Sequence, residues 1–293
     1  MINKESKILV TGVKGQLGYD VCRELKERGY TNFKGIDIED LDITDEIAVN
    51  KYIEEFKPDI VIHNAAWTAV DKAEEVKDKV YAVNALGPKY IAEACKKINA
   101  TIMFISTDYV FPGNGENYYK EDDPKGALGV YGKTKSDGED FVKSILDKYF
   151  IIRISWVFGI NGNNYVKTML RLAETKNELN IVCDQIGSPT YTYDLSKLMC
   201  DMIETNKFGV YHATNEGICS WYEFTKYIFE VAGITNVKVN PITTKEYQSM
   251  VKQAYRPLNS RMSKDKLVEN GFKRLPDWHD AVKRYLQNLM KGK

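Results

Sequence analysis

A tyrosine and a lysine lie four residues apart in the segment Tyr131-Gly132-Lys133-Thr134-Lys135. This segment opens a helical pattern that runs to about Ile145, and on a helix the spacing places both side chains on one face. An ordinary phenol has a pKa of about 10, too high for easy proton exchange at neutral pH, and a neighbouring ammonium lowers that pKa. The pair is therefore suited to moving a proton onto or off a substrate oxygen. A solvated helix face is the alternative interpretation of this segment alone.

A glycine-rich turn follows the first apolar run of the chain. The run 7–12 predicts a strand, and a helical pattern continues through about Arg28. Gly12, Gly15 and Gly18 lie between them with the spacing G-x-x-G-x-x-G. These glycines would permit a tight turn, a close backbone approach to a pyrophosphate at the helix N-terminus, and close packing of the helix on the sheet. The order predicts a dinucleotide-binding βαβ unit, with a plain strand–helix turn as the alternative.

An acidic residue follows the glycine turn at the distance expected for a ribose ligand. The second predicted strand, 33–37, ends at Asp37, roughly 20 residues after the glycines. We expect Asp37 to accept a hydrogen bond from the adenosine ribose 2′-hydroxyl and to repel a 2′-phosphate, which favours NADH over NADPH. Asp42 is a further candidate near the adenine. Either carboxylate could instead cap its own loop.

Composition limits the classes of partner. The chain has 293 residues, enough for one large or two modest domains. Lys plus Arg and Asp plus Glu each number 41, so the formal net charge is zero and no basic field attracts nucleic acid or an anionic membrane. The first six residues lack the apolar core of a signal peptide, and no apolar run approaches membrane-spanning length. We expect a cytoplasmic protein without a nucleic-acid or membrane partner.

The number and spacing of cysteines and histidines predict neither a metal site nor disulfide bonds. The five cysteines are odd in number, widely spaced and free of any C-x-x-C pattern. They are predicted to be buried free thiols in a reducing compartment. The three histidines are isolated from one another, and no metal site is predicted. The cysteines are Cys22, Cys95, Cys183, Cys200 and Cys219, and the histidines are His63, His212 and His279.

The first half of the chain alternates apolar strands with amphipathic helices, which predicts a parallel sheet covered on both faces. The fold class is therefore α/β: a Rossmann-like, doubly wound parallel sheet with a smaller C-terminal α/β substrate-binding lobe. Residues 1–155 form the predicted NAD(P)-binding Rossmann domain, and residues 156–293 mainly the lobe, from which some segments could return to the sheet. Further predicted elements are strands 60–64, 101–106, 150–154 and 180–183 and helices 77–99, 165–175, 193–204 and 277–290.

A hydroxyl group completes a constellation with the glycine turn and the Tyr–Lys pair. Ser106 and Thr107 directly follow a predicted strand, so Thr107 is expected beside the cofactor crevice, about 25 residues before Tyr131. At this point the chain resembles the extended short-chain dehydrogenase/reductases and, within them, the dTDP-4-dehydrorhamnose reductase family. The resemblance covers almost the whole chain. Its carriers are segments 11–18, 64–74, 106–113, 130–135, 153–158, 162–164, 184–190 and 256–261.

The resemblance implies reduction of the C4 ketone of dTDP-4-dehydro-L-rhamnose to dTDP-L-rhamnose by NADH or NADPH. Tyr131 would donate a proton to the substrate oxygen. Lys135 would hold the nicotinamide ribose and keep the phenol acidic. Thr107 would hydrogen-bond the same oxygen or the tyrosine hydroxyl.

Binding residues are implied by the same resemblance. The cofactor would be bound by Gly12, Lys14, Gly15, Gln16, Leu17, Gly18, Asp37, Asp42, Ile43, Ala65, Ala66, Thr68, Tyr131 and Lys135. The dTDP-sugar would be bound by Thr107, Asp108, Tyr109, Trp156, Asn164 and Arg256. A planar guanidinium such as that of Arg256 suits a diphosphate, and a surface ion pair is its alternative role. A homodimer is also expected from the resemblance.

Other functions remain open at this point. Another sugar-nucleotide 4-ketoreductase or an epimerase would share the cofactor half, so only the second lobe would distinguish them. A non-catalytic, reductase-like regulatory subunit is a hypothesis of another class. The intact glycine turn, together with Thr107, Tyr131 and Lys135, favours an enzyme.

Overall fold

The computed structural model describes residues 2–291, in which strands and helices alternate through the first half and become less regular in the second. The strands are β1 (Ile8–Thr11), β2 (Phe33–Ile36), β3 (Ile60–His63), β4 (Thr101–Thr107), β5 (Tyr149–Ile154), β6 (Val157–Phe158), β7 (Glu178–Val182), β8 (Ile186–Gly187), β9 (Thr190–Tyr191), β10 (Gly209–His212), β11 (Cys219–Ser220) and β12 (Lys238–Ile242). The helices are α1 (Gln16–Glu27), α2 (Glu46–Phe56), α3 (Val70–Ala73), α4 (Lys77–Tyr81), α5 (Gly87–Lys97), α6 (Val130–Ile145), α7 (Tyr165–Ala173), α8 (Thr192–Ile203), α9 (Trp221–Ala232), α10 (Thr244–Met250), α11 (Asp265–Glu269) and α12 (Trp278–Lys291).

Six strands form one parallel sheet in the order β10-β5-β4-β3-β1-β2. The chain order reverses direction next to β1, so the carboxyl ends of β1 and β3 open a crevice where ligands bind in such sheets. β10 comes from the second half of the sequence and extends the sheet beyond β5. The predicted Rossmann-like, doubly wound α/β fold is confirmed.

Side-chain alternation along the strands divides the core into two faces. In β1, Ile8 and Val10 pack with residues of α1 and α8, whereas Leu9 packs with residues of α2 and α5. A strand buried on both faces favours apolar residues at successive positions, which is the pattern of β1 and β3 up to their last residues, Thr11 and His63. Among residues 2–291, no helix has both the length and the apolar composition that a membrane crossing requires.

The second lobe has a separate, aromatic core. Three two-stranded sheets pair β7 with β12, β6 with β9, and β8 with β11. Around them pack buried aromatic residues from β6, β9, α9 and α12, namely Phe158, Tyr191, Phe224, Trp278 and Tyr285.

The helical pattern predicted over residues 77–99 is interrupted. A π-helical turn, Ala82–Leu86, lies between α4 and α5. Pro88 follows it and has no N–H to donate to the carbonyl of Asn84, so the α-helical hydrogen-bond ladder breaks there. The Asn84 side chain is buried and bonds both backbone groups of Trp67, which fixes the loop after β3.

The prediction of buried cysteines was partly wrong. All five are free, and Cys95, Cys200 and Cys219 are buried, but Cys22 and Cys183 are partly exposed. Cys183 lies one residue past the end of β7, a strand in which only Val182 is buried, so the apolar run before it does not enclose it. Within residues 2–291, no three His, Cys, Asp or Glu side chains are grouped so that they could hold a metal ion.

A buried ion pair joins α6 to the sheet. Arg153 of β5 donates from Nε to Glu139 Oε1 at 2.9 Å and from Nη2 to Oε2 at 2.8 Å, and both side chains are at most 1% exposed. Burial alone would raise the pKa of Glu139, but the hydrogen bonds and charge of Arg153 outweigh it, so the pKa is lowered. The pair therefore stays ionised at neutral pH and fixes the helix that carries Tyr131 and Lys135.

We predict that Arg153→Met lowers the free energy of unfolding by about 3–5 kcal/mol, because it leaves the Glu139 carboxylate buried without its partner. The double variant Arg153→Met/Glu139→Leu should recover much of that loss. The exposed pair of Lys238 and Glu178 is the control, and Lys238→Met should cost about 0–1 kcal/mol. Urea unfolding measures all three variants, and equal costs for Arg153→Met and Lys238→Met would contradict the assignment.

Candidate active site

A cavity of about 870 Å³ lies at the carboxyl ends of β1, β3 and β4 and is closed on one side by the second lobe. Nearly all of the predicted site residues line it. They are Gly12, Lys14, Gly15, Gln16, Leu17, Gly18, Asp37, Asp42, Ile43, Ala65, Ala66, Thr68, Thr107, Asp108, Tyr109, Tyr131, Lys135, Trp156 and Asn164. Arg256 is absent from the lining.

The glycine turn has the shape that a dinucleotide pyrophosphate requires. Gly12 has a φ of +70°, and a Cβ added to it would lie 2.7 Å from the backbone nitrogen of Ala65. A Cβ on Gly18 would collide with the carbonyl oxygen of Gly12. α1 begins at Gln16 without a side-chain cap, which leaves its first N–H groups available to an anion. These residues therefore fit the cofactor that the sequence predicts.

Asp37 supports the glycine turn from the end of β2. Its Oδ2 accepts a hydrogen bond from the Lys14 N–H at 2.8 Å, and its Oδ1 accepts one from the Ile38 N–H at 2.9 Å. A carboxylate has about four lone-pair sites, so capacity remains for a ribose hydroxyl. The Lys14 ammonium forms an exposed ion pair with Glu39 at 2.6 Å.

Asp42 is exposed and bonds within its own loop. Its Oδ1 accepts hydrogen bonds from the N–H and hydroxyl of Thr44 at 2.9 and 2.7 Å. These bonds stabilise the carboxylate and lower its pKa. Asp42 therefore caps its own loop, as the sequence analysis gave for its alternative role. The residue lies at the margin of the cavity.

The start of the loop after β3 is bonded to the last residue of β1. The Ala65 N–H donates to Thr11 Oγ1 at 3.3 Å, and Asn64 Nδ2 donates to the Thr11 carbonyl at 3.2 Å. Ala66 and Thr68 follow on the cavity wall. Small side chains here leave the cavity open between the glycine turn and α6.

Lys135 is almost completely buried, at 2% exposure, and its Nζ lies 3.9 Å from the centroid of the Phe104 ring. Among residues 2–291, no group accepts a hydrogen bond from this Nζ. Burial lowers the pKa of Lys135 to about 7, although the Glu139 carboxylate opposes the change.

Tyr131 lies at the start of α6, with its ring edge-on to that of Tyr109 at 5.4 Å between centroids. Burial raises the pKa of Tyr131 above its ordinary value, while the neighbouring Thr107 hydroxyl lowers it in part. Lys135 is not among the groups that change this pKa, and the lowering expected from Lys135 together with a bound cofactor stays a prediction. A buried amine with a pKa of about 7 is only partly charged at neutral pH, so it stabilises a phenolate weakly.

Thr107 and Asp108 form a buried pair at the end of β4. Thr107 Oγ1 donates to Asp108 Oδ1 at 2.9 Å and accepts from the Tyr109 N–H at 3.2 Å. The other carboxylate oxygen of Asp108 accepts from Ser260 Oγ of the second lobe at 2.5 Å. Burial raises the pKa of Asp108 to about 6, against the lowering effect of the hydrogen bonds from Ser260 and Thr107.

Trp156 forms part of the cavity wall. Its φ of +50° is strained for a residue with a side chain and costs about 1–3 kcal/mol. The indole stacks on that of Trp221, with ring centroids 3.8 Å apart and planes 16° apart. Trp221 also lines the cavity and was missed in the sequence. The Ser220–Glu223 capping box signals the start of α9, but no local pattern places that start at the cavity.

Asn164 connects the second lobe to the glycine turn. Its Nδ2 donates to Gln16 Oε1 at 3.1 Å, to the Gly159 carbonyl at 2.8 Å and to the Tyr285 hydroxyl at 3.2 Å. Its Oδ1 accepts from the Lys167 N–H and caps α7. The amide is thus engaged within the protein and positions the cofactor turn.

Arg256 is held away from the other predicted ligands. Its Nη2 pairs with Asp71 Oδ2 at 2.7 Å, its Nε donates to Gln253 Oε1 at 3.0 Å, and its Nη1 lies 3.5 Å from the Tyr109 hydroxyl. The ion pair links α3 to the second lobe. This is the surface ion pair that the sequence analysis gave as the alternative role of Arg256. The guanidinium nevertheless lies near the cavity, because Tyr109 is one of the lining residues.

Comparisons with known proteins cover both lobes. Residues 6–291 match the family described as the RmlD substrate binding domain. The chain is 43% identical over 282 residues to the spore coat polysaccharide biosynthesis protein SpsK of Bacillus subtilis, covering 96% of this chain and 97% of that protein. It is 40% identical over 289 residues to the dTDP-4-dehydrorhamnose reductase of Aggregatibacter actinomycetemcomitans, covering 95% and 97%.

The similarity extends to the three-dimensional structure of a relative. The dTDP-4-dehydrorhamnose reductase of Bacillus anthracis, determined in complex with NADP, superposes with a TM-score of 0.92 at 40% identity. The superposition covers 97% of this chain and 99% of that one.

The buried amine of Lys135 predicts a pH-dependent stability. In the unfolded chain a lysine keeps its proton up to about pH 10.4, whereas in the folded protein Lys135 loses it near pH 7. Between these values the unfolded state binds more protons, so the contribution of Lys135 makes the free energy of unfolding rise with pH, by on the order of 1 kcal/mol per pH unit. Urea unfolding of wild type and Lys135→Met at pH 7 and pH 9 isolates the effect. Equal pH dependence in the two proteins would contradict it.

Proposed function

Because the chain belongs to the dTDP-4-dehydrorhamnose reductase (RmlD) family of the extended short-chain dehydrogenase/reductase superfamily, we propose that it reduces the C4 ketone of dTDP-4-dehydro-L-rhamnose to dTDP-L-rhamnose. Its family makes it an NAD(P)-dependent sugar-nucleotide reductase. The observation that carries the proposal is that the glycine turn and the three side chains of Thr107, Tyr131 and Lys135 line one cavity.

Tyr131 is the proposed acid. When bound, the nicotinamide cofactor supplies the hydride that adds to the ketone carbon. Tyr131 then donates its phenolic proton to the oxygen, where negative charge develops. The raised pKa of the phenol suits this direction, since the proton stays on Tyr131 until the more basic alkoxide forms.

Lys135 is proposed to bind the nicotinamide ribose. Within the described part of the chain its ammonium has no hydrogen-bond acceptor, so its donors are available to ribose hydroxyls. Binding of these hydroxyls would favour the charged amine. Asp37 is proposed to accept the adenosine ribose 2′-hydroxyl with its remaining lone pairs, which favours NADH, while the exposed Lys14–Glu39 pair could exchange to admit NADPH.

The stacked indoles of Trp156 and Trp221 are proposed to form the apolar wall for the deoxysugar, beside Asp108 and Tyr109. Arg256 is proposed to exchange Asp71 for the substrate diphosphate. Their half-exposed ion pair contributes only about 0–1 kcal/mol, and a diphosphate offers a guanidinium more charge. A homodimer stays a prediction from the family.

A second candidate is reduction of a different dTDP-4-keto-6-deoxysugar. The 43% identity to a spore coat polysaccharide biosynthesis protein favours it, because the name of that relative does not specify rhamnose. The chemistry at Thr107, Tyr131 and Lys135 would be the same. Only contacts from the second lobe would differ.

We predict that Tyr131→Phe lowers kcat with dTDP-4-dehydro-L-rhamnose by about 10²–10⁴-fold, because the variant lacks the acid. NADH binding, measured by fluorescence titration, should be largely kept. Tyr118→Phe, an exposed tyrosine outside the cavity, is the matched control and should retain turnover. Turnover of Tyr131→Phe equal to that of wild type would refute the assignment, and faster wild-type reduction of another 4-keto sugar would favour the second candidate.

We predict that Asp37→Asn narrows any preference for NADH, because it removes the charge that repels a 2′-phosphate and keeps an oxygen for the Lys14 N–H. The ratio of kcat/KM for NADH to that for NADPH should fall on the order of tenfold, equivalent to about 1.4 kcal/mol. Asp37→Ala also removes the support of the glycine turn and should weaken both cofactors. An unchanged ratio in both variants would count against a ribose role for Asp37.

A further inference from the structure

A short segment of the second lobe, residues 252–256, is bonded to the cavity residue Tyr109, and we call it the strap. It comes shortly after α10 and has no regular secondary structure. Within residues 2–291, its hydrogen bonds to other parts of the chain end on Asp71, on the Tyr109 hydroxyl and on the carbonyl of Pro112. The strap is therefore joined to the Rossmann half by few contacts, and two of them share Asp71.

Asp71 binds the strap through both oxygens of its carboxylate. Its Oδ1 accepts from the backbone N–H of Ala254 at 2.9 Å, and its Oδ2 accepts from Arg256 Nη2 at 2.7 Å. Asp71 is the second residue of α3, and the first, Val70, lines the cavity. One carboxylate thus holds a backbone N–H and a guanidinium of the second lobe next to the cavity.

The strap contains more hydrogen-bond donors than its surroundings satisfy. Gln253 Oε1 accepts from Arg256 Nε at 3.0 Å, which fixes the orientation of the amide because Nε is always a donor. The Nε2 of Gln253 is buried and, over the described residues, has no acceptor. Arg256 Nη1 lies 3.5 Å from the Tyr109 hydroxyl, which is long for a hydrogen bond. Buried donors favour acceptors, so this cluster can take a further one, such as a phosphate oxygen.

The Asp71 carboxylate is easily exchanged. Its side chain is 55% exposed and that of Arg256 is 28% exposed, and such ion pairs are weakened by water and salt. Ala254 is buried, so its N–H needs an acceptor in any arrangement. A group that replaces the carboxylate must therefore accept from both donors, as the oxygens of a diphosphate can.

We propose that Asp71 is an intramolecular competitor of the substrate diphosphate. In the free protein its carboxylate occupies the donors of Ala254 and Arg256. When a nucleoside diphosphate sugar enters the cavity, oxygens of its diphosphate take both donors, Asp71 is released to solvent, and the strap moves from α3 to the substrate. The identity of this ligand rests on the proposed function, whereas the competition itself requires no reduction step.

Binding of dTDP to the full chain, with NADH saturating so that the glycine turn is filled, tests the competition. Asp71→Asn keeps an oxygen for the Ala254 N–H but loses the charge that holds Arg256. An exposed ion pair favours the closed strap about one- to fivefold, so its removal should lower the Kd of dTDP about two- to sixfold. An unchanged or higher Kd would overturn the proposal, since Asp71 would then either have no effect or position Arg256 for the ligand.

Three further probes identify the part of the ligand that competes. Inorganic pyrophosphate lacks the nucleoside and, again with NADH saturating, should bind Asp71→Asn more tightly by the same factor as dTDP. Thymidine lacks the diphosphate, so its Kd should be the same in both proteins. The Kd of NADH, titrated alone, should also stay unchanged, because its pyrophosphate is proposed to lie at the glycine turn. Tighter binding of thymidine or NADH to the variant would indicate a general change of the cavity and would count against the competition.

A double-mutant cycle separates the ion pair from general repulsion between a carboxylate and an anion. Arg256→Met should raise the Kd of dTDP by about tenfold, since it removes a charged donor. In that background Asp71→Asn should change the Kd by less than about twofold, because the partner of the competing carboxylate is absent.

Glu75→Gln is the matched control for charge. Glu75 is an exposed residue two positions past the end of α3, and within residues 2–291 its carboxylate forms no ion pair. The Kd of dTDP should be unchanged in this variant. A gain equal to that of Asp71→Asn in Glu75→Gln, or an equal gain from Asp71→Asn with and without Arg256, would show general repulsion and refute the exchange.

Kinetics distinguish a failure of the competition from a failure of the proposed function. The KM for dTDP-4-dehydro-L-rhamnose should fall in Asp71→Asn by the same factor as the Kd of dTDP. If the Kd falls and the KM does not, the exchange plays no part in substrate binding, and the proposal is wrong although the reductase function stands. If no dTDP-sugar is reduced, the proposed function fails, and the dTDP and pyrophosphate titrations still decide whether Asp71 competes.

Discussion

The approach of α6 to the parallel sheet is the constraint on which the site depends. This helix carries both Tyr131 and Lys135, and its distance from the sheet is set by Glu139, whose carboxylate is bonded twice by the buried guanidinium of Arg153. Two glycines of the helix permit this contact, because a Cβ on Gly132 or Gly138 would collide with a backbone carbonyl of a neighbouring segment. The ion pair and the two glycines together place Tyr131 and Lys135 at the end of β4.

The second lobe reaches the site mainly through polar contacts. Asn164 bonds Gln16 beside the glycine turn, Ser260 bonds Asp108, and Arg256 pairs with Asp71. Gln16 and Asp108 line the cavity, whereas Asp71 lies in α3 and is not part of its lining. A movement of the lobe would therefore displace the glycine turn and the Asp108 carboxyl at the same time. This coupling is a physical reason why a reductase of this family has a cavity between two lobes.

Burial is the largest cause of the pKa shifts of three groups that line the cavity, and two of them are the proposed catalytic pair. It lowers the pKa of Lys135 and raises the pKa values of Tyr131 and Asp108, so all three tend towards their neutral forms. At neutral pH the Tyr131 phenol keeps its proton, whereas pKa values of about 7 for Lys135 and about 6 for Asp108 leave these two groups partly charged. The lysine, without an acceptor among the described residues, is the group whose charge depends most on what the cavity binds.

The sequence by itself determined the fold class, the glycine turn and the Tyr131–Lys135 pair, because strand periodicity, glycine spacing and helical spacing are local properties of the chain. The family resemblance added the substrate class and most of the cavity lining. Only the tertiary structure decided that Trp221 stacks on Trp156, that Arg256 pairs with Asp71, and that the phenol pKa rises. Residues that are distant in sequence come into contact only when the two lobes pack together. A pKa shift depends on how much water this packing removes from the group. No local sequence pattern contains either kind of information.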